Sequence, residues 1–208
     1  ITYGGSCSSD NTSATADNNT VTFNALVDGT YDNCTITVED STSNTSSTLS
    51  VNTFVIDTTA PTVSSISPTD NQYTVSVNAN ISVTFSETMD NTSVTTNTEN
   101  TTCSGSFQVS SDNFSSCVQM SSAPSSSNSN NTYTITSSDN LSRPTTYKIR
   151  VSTGVKDSAG NTLNSQYETS NGFTVDTIKA ITTGTMHNCA VLSGGTVKCW
   201  GLGSLGQL

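Results

Sequence analysis

The 208-residue sequence predicts an all-β protein built from small sandwiches in series. Three observations point there. Ser, Thr and Asn make up nearly half of the chain, and their side chains compete with a helix for its backbone hydrogen bonds. Apolar residues are only 31% and charged residues 11%, yet the apolar ones gather in short alternating runs, as a thin sandwich core requires. The six cysteines fall into three local pairs, Cys7/Cys34, Cys103/Cys117 and Cys189/Cys199, the pattern of small domains stapled in an oxidising compartment.

The elements follow in chain order. Residues 1–9 hold a short strand, and Thr20–Phe23 alternates as a second. Asp28-Gly29 signals a turn. Tyr31–Val38 alternates with Cys34, Ile36 and Val38 on one face, and Leu49–Ile56 makes a fourth strand. Four strands fall short of the seven or so a sandwich of this kind uses. A fuller series follows Pro61: Thr62–Ile66, Asn80–Phe85, Ser106–Val109, Ser116–Met120, Thr132–Thr136, Thr146–Val151 and Gly172–Val175. The low-complexity run Ser121–Asn131 reads as a mobile loop. An echo between Phe54-Val-Ile-Asp-Thr58 and Phe173-Thr-Val-Asp-Thr177 marks two closing strands, so the modules are tandem. The last segment is a hairpin from His187 to Gly201 with a Gly194-Gly195 turn. Pairing Cys189 with Cys199 places Val191 opposite Val197, which suits a cross-strand disulfide.

Charge narrows the partners. A net charge of −10 with six Lys plus Arg repels phosphate, so nucleic acid and anionic membranes are excluded as expected partners. No apolar stretch is long enough to span a bilayer, so this segment is not expected to insert in a membrane. The chain begins at Ile1 without a secretory leader, and the N-terminus shown is therefore expected to differ from the translated one.

Little in the sequence points to catalysis. His187 is the only histidine, which removes His-based triads and His-rich metal sites. No GxSxG elbow occurs, and Glu87 and Asp90 lie in open turn positions without the cleft a carboxylate pair needs. The expectation is a protein that is not an enzyme. Zinc is disfavoured because no CxxC spacing exists. No cofactor is required. Calcium is the one candidate ion, since Asp57, Asp70, Asp157, Asn161 and Asp176 sit at module ends or in turns and offer oxygen ligands. Tyr73, Tyr167 and Trp200 are candidate exposed aromatics for sugar contact.

Three stretches carry family resemblances. Residues 1–60, with ITYGGSC, DGTYDNCTITVED and FVIDTTAP, resemble the Ig-like repeats of large bacterial surface adhesins. Residues 61–177, with APTVSSISPTDN, VTFSETMD and YKIRVSTGVKDSAGNTL, resemble the bacterial Ig-like domains of S-layer and adhesin proteins. Residues 178–208, through HNCAVLSGGTVKCWGLGSLGQL, resemble the start of a repeat of the regulator-of-chromosome-condensation type. That family folds as a seven-bladed propeller, so this part is expected to be an incomplete blade whose parent chain continued past Leu208.

The resemblances imply tandem immunoglobulin-like β-sandwiches plus a C-terminal β-hairpin. They imply secretion to the bacterial cell surface and a disulfide-stapled stalk with a structural or adhesive role. The expected partners are neighbouring Ig-like modules, copies of the chain itself, or surface glycans. Two other roles fit the same residues: a filament subunit completed by strand exchange between chains, and a carbohydrate-binding accessory region of an exported hydrolase.

Overall fold

The structure is a computed structural model that describes residues 1–176, 178–192 and 195–201. All regular structure among these residues is β. The chain divides into two compact units, Ile1–Thr59 and Ala60–Leu208.

Unit 1 holds five short strands: β1 (Thr2–Gly4), β2 (Gly29–Tyr31), β3 (Thr35–Thr37), β4 (Leu49–Ser50) and β5 (Phe54–Ile56). β3 lies between β1 and β4 in one sheet, and β2 pairs with β5 in another. The two long strands expected from alternation, Tyr31–Val38 and Leu49–Ile56, are therefore each broken between sheets. Both breaks meet at Cys34, which is bonded to Cys7 and whose carbonyl accepts the Val51 N–H at 2.9 Å. Only Cys7, Tyr31 and Cys34 are buried apolar residues here, with Phe23, Leu26, Val51, Phe54 and Ile56 packed part-buried around them. Val38, expected on the inner face, is 38% exposed. Thr20–Phe23 corrects the sequence reading: it forms no strand.

Unit 2 begins with a β-sandwich of β6 (Val63–Ser67), β7 (Ile81–Phe85), β8 (Phe107–Ser110), β9 (Ser125–Ser127), β10 (Thr132–Ile135), β11 (Thr145–Val151), β12 (Tyr167–Glu168) and β13 (Phe173–Val175). One sheet runs β6-β7-β10-β9. In the other, β11 is flanked by β12 and β13 on one path and by β8 off it. Alternation writes the core directly. Ile81, Val83 and Phe85 of β7 and Tyr147, Ile149 and Val151 of β11 point inward, while Thr146, Lys148 and Arg150 point out. They join Phe107, Val109, Tyr133, Ile135 and Phe173 in one buried cluster. Aromatic pairs brace it: Phe85 meets Tyr133 edge-on with centroids 6.0 Å apart, and Tyr147 stacks on Phe173 at 5.7 Å.

Two sequence readings of this sandwich need correction. Ser121–Asn131 is not all loop, because Ser125–Ser127 pairs antiparallel with Thr132–Thr134. Asn128, Ser129 and Asn130 turn the tip with positive φ, a conformation Asn tolerates better than most residues. Ser116–Met120 is not a strand. It is held by single contacts, the Val118 N–H to the Val109 carbonyl at 2.8 Å and a lone Met120–Ser137 bridge.

The C-terminal sheet of unit 2 is β14 (Ile178–Thr183), β15 (His187–Leu192) and β16 (Val197–Gly201), in that order. Its β15–β16 register sets Cys189 against Cys199 and Val191 against Val197. β14 is an added strand that the sequence reading missed. Gly194 of the expected turn, Thr177 of the closing echo and residues 202–208 lie outside the described residues.

Candidate functional site

The acidic residues singled out in the sequence are, in the main, turn builders. Asp157 is buried, and its Oδ1 accepts the backbone N–H groups of Ala159, Gly160 and Asn161 at 2.8, 2.7 and 2.9 Å. Its Oδ2 accepts Asn161 Nδ2 at 2.9 Å. Unit 1 repeats the device at Asp40, which takes the N–H groups of Thr42 and Asn44 at 2.8 and 2.9 Å and Asn44 Nδ2 at 2.9 Å. The Asn44 side-chain donor, with the N–H groups beside it, holds the Asp40 carboxyl far below its ordinary value.

The other acidic candidates are each described within their own unit. Asp70 accepts the Asn171 and Gly172 N–H groups at 3.0 and 2.6 Å and so ties the loop after β6 to the start of β13. Asp57 accepts the Thr59 N–H at 3.0 Å within unit 1. Asp176 is buried just past β13. Among the described residues, Asp70 and Asp176 join no group of three side chains close enough to share a metal ion. Glu87 was not foreseen as a ligand, yet it brings a carboxylate oxygen within 4.8 Å of one on Asp157. The contact arises because Met89 bridges Asp157 across the fold, a pairing that local sequence spacing does not express.

A second constellation covers the outer face of the β8–β11 sheet. Cys103 and Cys117, with Cα atoms 4.9 Å apart, close an insert after and before β8. Gln108 lies under it and donates to the carbonyls of Cys103 and Gly105 at 3.2 and 2.9 Å. Gly105 is required here: its φ is 82°, and a Cβ would come within 2.7 Å of the Thr96 backbone. Asp112 organises the insert by accepting the Ser116 N–H and hydroxyl at 2.9 and 2.6 Å, which pushes its pKa down to about 2. Phe114 then caps Arg150, whose guanidinium also donates to Glu168 at 3.2 Å. Lys148 reaches the same carboxylate at 3.6 Å. Nothing in this arrangement aims a nucleophile or acid at a cleft; it is a cover.

The clefts are shallow and modest. The three described have volumes of about 220, 210 and 290 Å³. Tyr167 lines the first, half-buried against the core rather than exposed as expected. Tyr73 lines the third, 45% exposed, with Lys198 Nζ 4.3 Å from its ring centroid. Trp200 is 47% exposed on β16.

The alternating inner strands, the echoing Asp turns and the closing strand define a repeat, and a family model for the bacterial Ig-like domain matches residues 57–175, more than half of the 208 residues. The chain belongs to the bacterial Ig-like domain family. A second model, for the regulator of chromosome condensation repeat, matches residues 178–207 after the Ig-like module. Among solved structures the chain is similar to the surface layer protein SbsC. Against domains 1–6 of SbsC the identity is 20% and the TM-score 0.40, over 68% of this chain and 19% of that one. Against the N-terminal part of SbsC the identity is 20% and the TM-score 0.39, over 67% of this chain and 32% of that one. The chain thus spans a third or less of the length of these structures. No curated protein matches the sequence.

Proposed function

We propose that this chain is an extracellular structural module, a disulfide-stapled section of the stalk of a bacterial surface protein, with an adhesive role carried by its exposed loops. The observation that carries the reading is the placement of the disulfides. Cys7–Cys34, Cys103–Cys117 and Cys189–Cys199 each close a loop of 27 residues or fewer within one sheet system, and no free cysteine remains. Such staples suit an oxidising compartment and a small core. The acids spent on turns, and the absence of converging reactive groups in the described clefts, support a load-carrying rather than catalytic role. Intact cells of the source bacterium, treated with a protease that does not enter them, test the reading. Loss of the native chain from the cell body supports it; full protection behind the envelope overturns it.

Calcium enters as a second reading because Glu87 sets its carboxylate beside that of Asp157, two like charges that a divalent cation would reconcile. Millimolar calcium should raise Tm and a chelator should reverse it, with Glu87→Gln abolishing the response. An unchanged Tm in both sinks this reading without touching the first.

A further inference from the structure

The one Asn-Gly step in the sequence is Asn171-Gly172, at the entry to β13. Such a step is open to attack by the chain on itself, because glycine has no side chain to keep its backbone nitrogen away from the amide before it. Asn171 is exposed, and among the described residues its side chain makes no hydrogen bond. The amide carbon is therefore reachable, and the fate of the pair rests on the Gly172 nitrogen.

That nitrogen is held. Its N–H donates to Asp70 Oδ1 at 2.6 Å, and the Asn171 N–H donates to the same oxygen at 3.0 Å. The Gly172 carbonyl is held as well, accepting the Asn71 N–H at 2.7 Å. Gly172 has a φ of 81°, and a Cβ there would collide with the Tyr147 carbonyl, so the residue has little room to turn. The clasp continues along β13. The Thr174 N–H donates to the Gln72 carbonyl at 2.7 Å, and the Val75 N–H to the Thr174 carbonyl at 3.1 Å. A parallel bridge sets Val75 beside Val175. β13 is thus sewn to β11 on one edge and to residues 71–75 on the other.

We propose that Asn171 is a deamidation site that the Asp70 clasp keeps closed, and that its conversion releases β13 irreversibly. In the reaction the Gly172 nitrogen loses its proton and bonds to Asn171 Cγ. The Cγ–Nδ2 bond breaks, the amide takes up the proton and leaves as ammonia, and a succinimide ring remains. Water then opens the ring at either carbonyl, to aspartate or to isoaspartate. The folded state opposes the first step twice. A carboxylate against the nitrogen disfavours an amide anion, like charge beside like. The lone pair left by deprotonation also points where the proton pointed, at Asp70 and not at Cγ. Conversion therefore proceeds from the fraction of molecules in which the clasp is locally open.

The product does not refit. Isoaspartate adds one carbon to the main chain at the point where Gly172 passes Tyr147 without space for a methyl group. The Tyr147–Phe173 and Thr145–Val175 pairs then fall out of step with the Gln72 and Val75 hydrogen bonds on the opposite edge.

The full chain, incubated at mildly alkaline pH with its disulfides intact, tests this. Mass-spectrometric peptide mapping follows Asn171, and isoaspartate methyltransferase labelling counts the isomer. In urea Asn171 converts at the rate of an open chain; the native chain converts far more slowly, by the same factor that slows hydrogen exchange at the Gly172 amide. Asp70→Ala removes two hydrogen bonds to a charged acceptor and speeds native conversion by about 10- to 100-fold. The exposed Asn164-Ser165 step of the same unit keeps its native rate in that variant. Where Asn164 accelerates as well, the variant reports general unfolding and the wild-type comparison decides. The isoaspartyl chain, isolated by ion exchange, loses exchange protection at Thr174. Equal rates at Asn171 in the native chain and in urea overturn the proposal. So does an Asp70→Ala chain that converts no faster, or an isoaspartyl chain that keeps its protection at Thr174.

Discussion

The guanidinium carbon of Arg150 stands 3.5 Å from the centre of the Phe114 ring. The contact joins an insert closed by a disulfide to the outward face of the longest strand of the sandwich. A cation over an aromatic face in a partly buried setting contributes about 1 kcal/mol. Phe114→Ala should destabilise unit 2 by about that amount, and a double-mutant cycle with Arg150→Ala should return a coupling of about 0.5–1 kcal/mol in urea titrations.

The insert should also depend on its staple. Replacing Cys103 and Cys117 by serine opens a loop with a sequence separation of 14, a change expected to cost about 3 kcal/mol. Calorimetry under oxidising conditions should show the transition of unit 2 move down while that of unit 1 stays.

The two units should differ sharply in their response to apolar truncation. Ile149 is 0% exposed, and Ile149→Ala should cost about 2–5 kcal/mol. Leu49 is 62% exposed, and Leu49→Ala should fall within about 0.5 kcal/mol. Chemical denaturation of the two variants decides the point.

Acid should loosen the insert in a defined window. The Ser116 donors hold the Asp112 carboxyl at about 2, against 3.8 for the free group. A depressed pKa contributes stability that is present above the unfolded value and is lost as pH falls through the folded one. Stability of unit 2 should therefore fall between roughly pH 4 and pH 2, and Asp112→Asn should flatten that part of the curve. Asp90, lowered by the Thr92 donors, leaves a residual slope.

The sandwich was legible because its strands carry their own alternation: β7 and β11 read directly from Ile-Ser-Val-Thr-Phe and Tyr-Lys-Ile-Arg-Val. The cysteine pairing was legible for the same reason of locality. Alternation failed where the partner decides. Thr20–Phe23 has the right pattern, but no strand of unit 1 pairs with it. Ser125–Ser127 has no apolar pattern, yet becomes a strand because β10 offers it a ladder. The approach of Glu87 to Asp157 depends on a bridge between residues 68 positions apart, and no local spacing encodes it.

The Asp turns have an effect beyond local geometry. Asp28, Asp40, Asp90 and Asp112 are all held in their ionised form by hydroxyl, amide and backbone donors. A surface of free carboxylates would lose its mutual repulsion on mild acidification and precipitate near neutrality of charge. Here four of those charges are held by the fold itself, so the pH at which the net charge vanishes lies lower than free carboxylates would set it for as long as the turns stay closed.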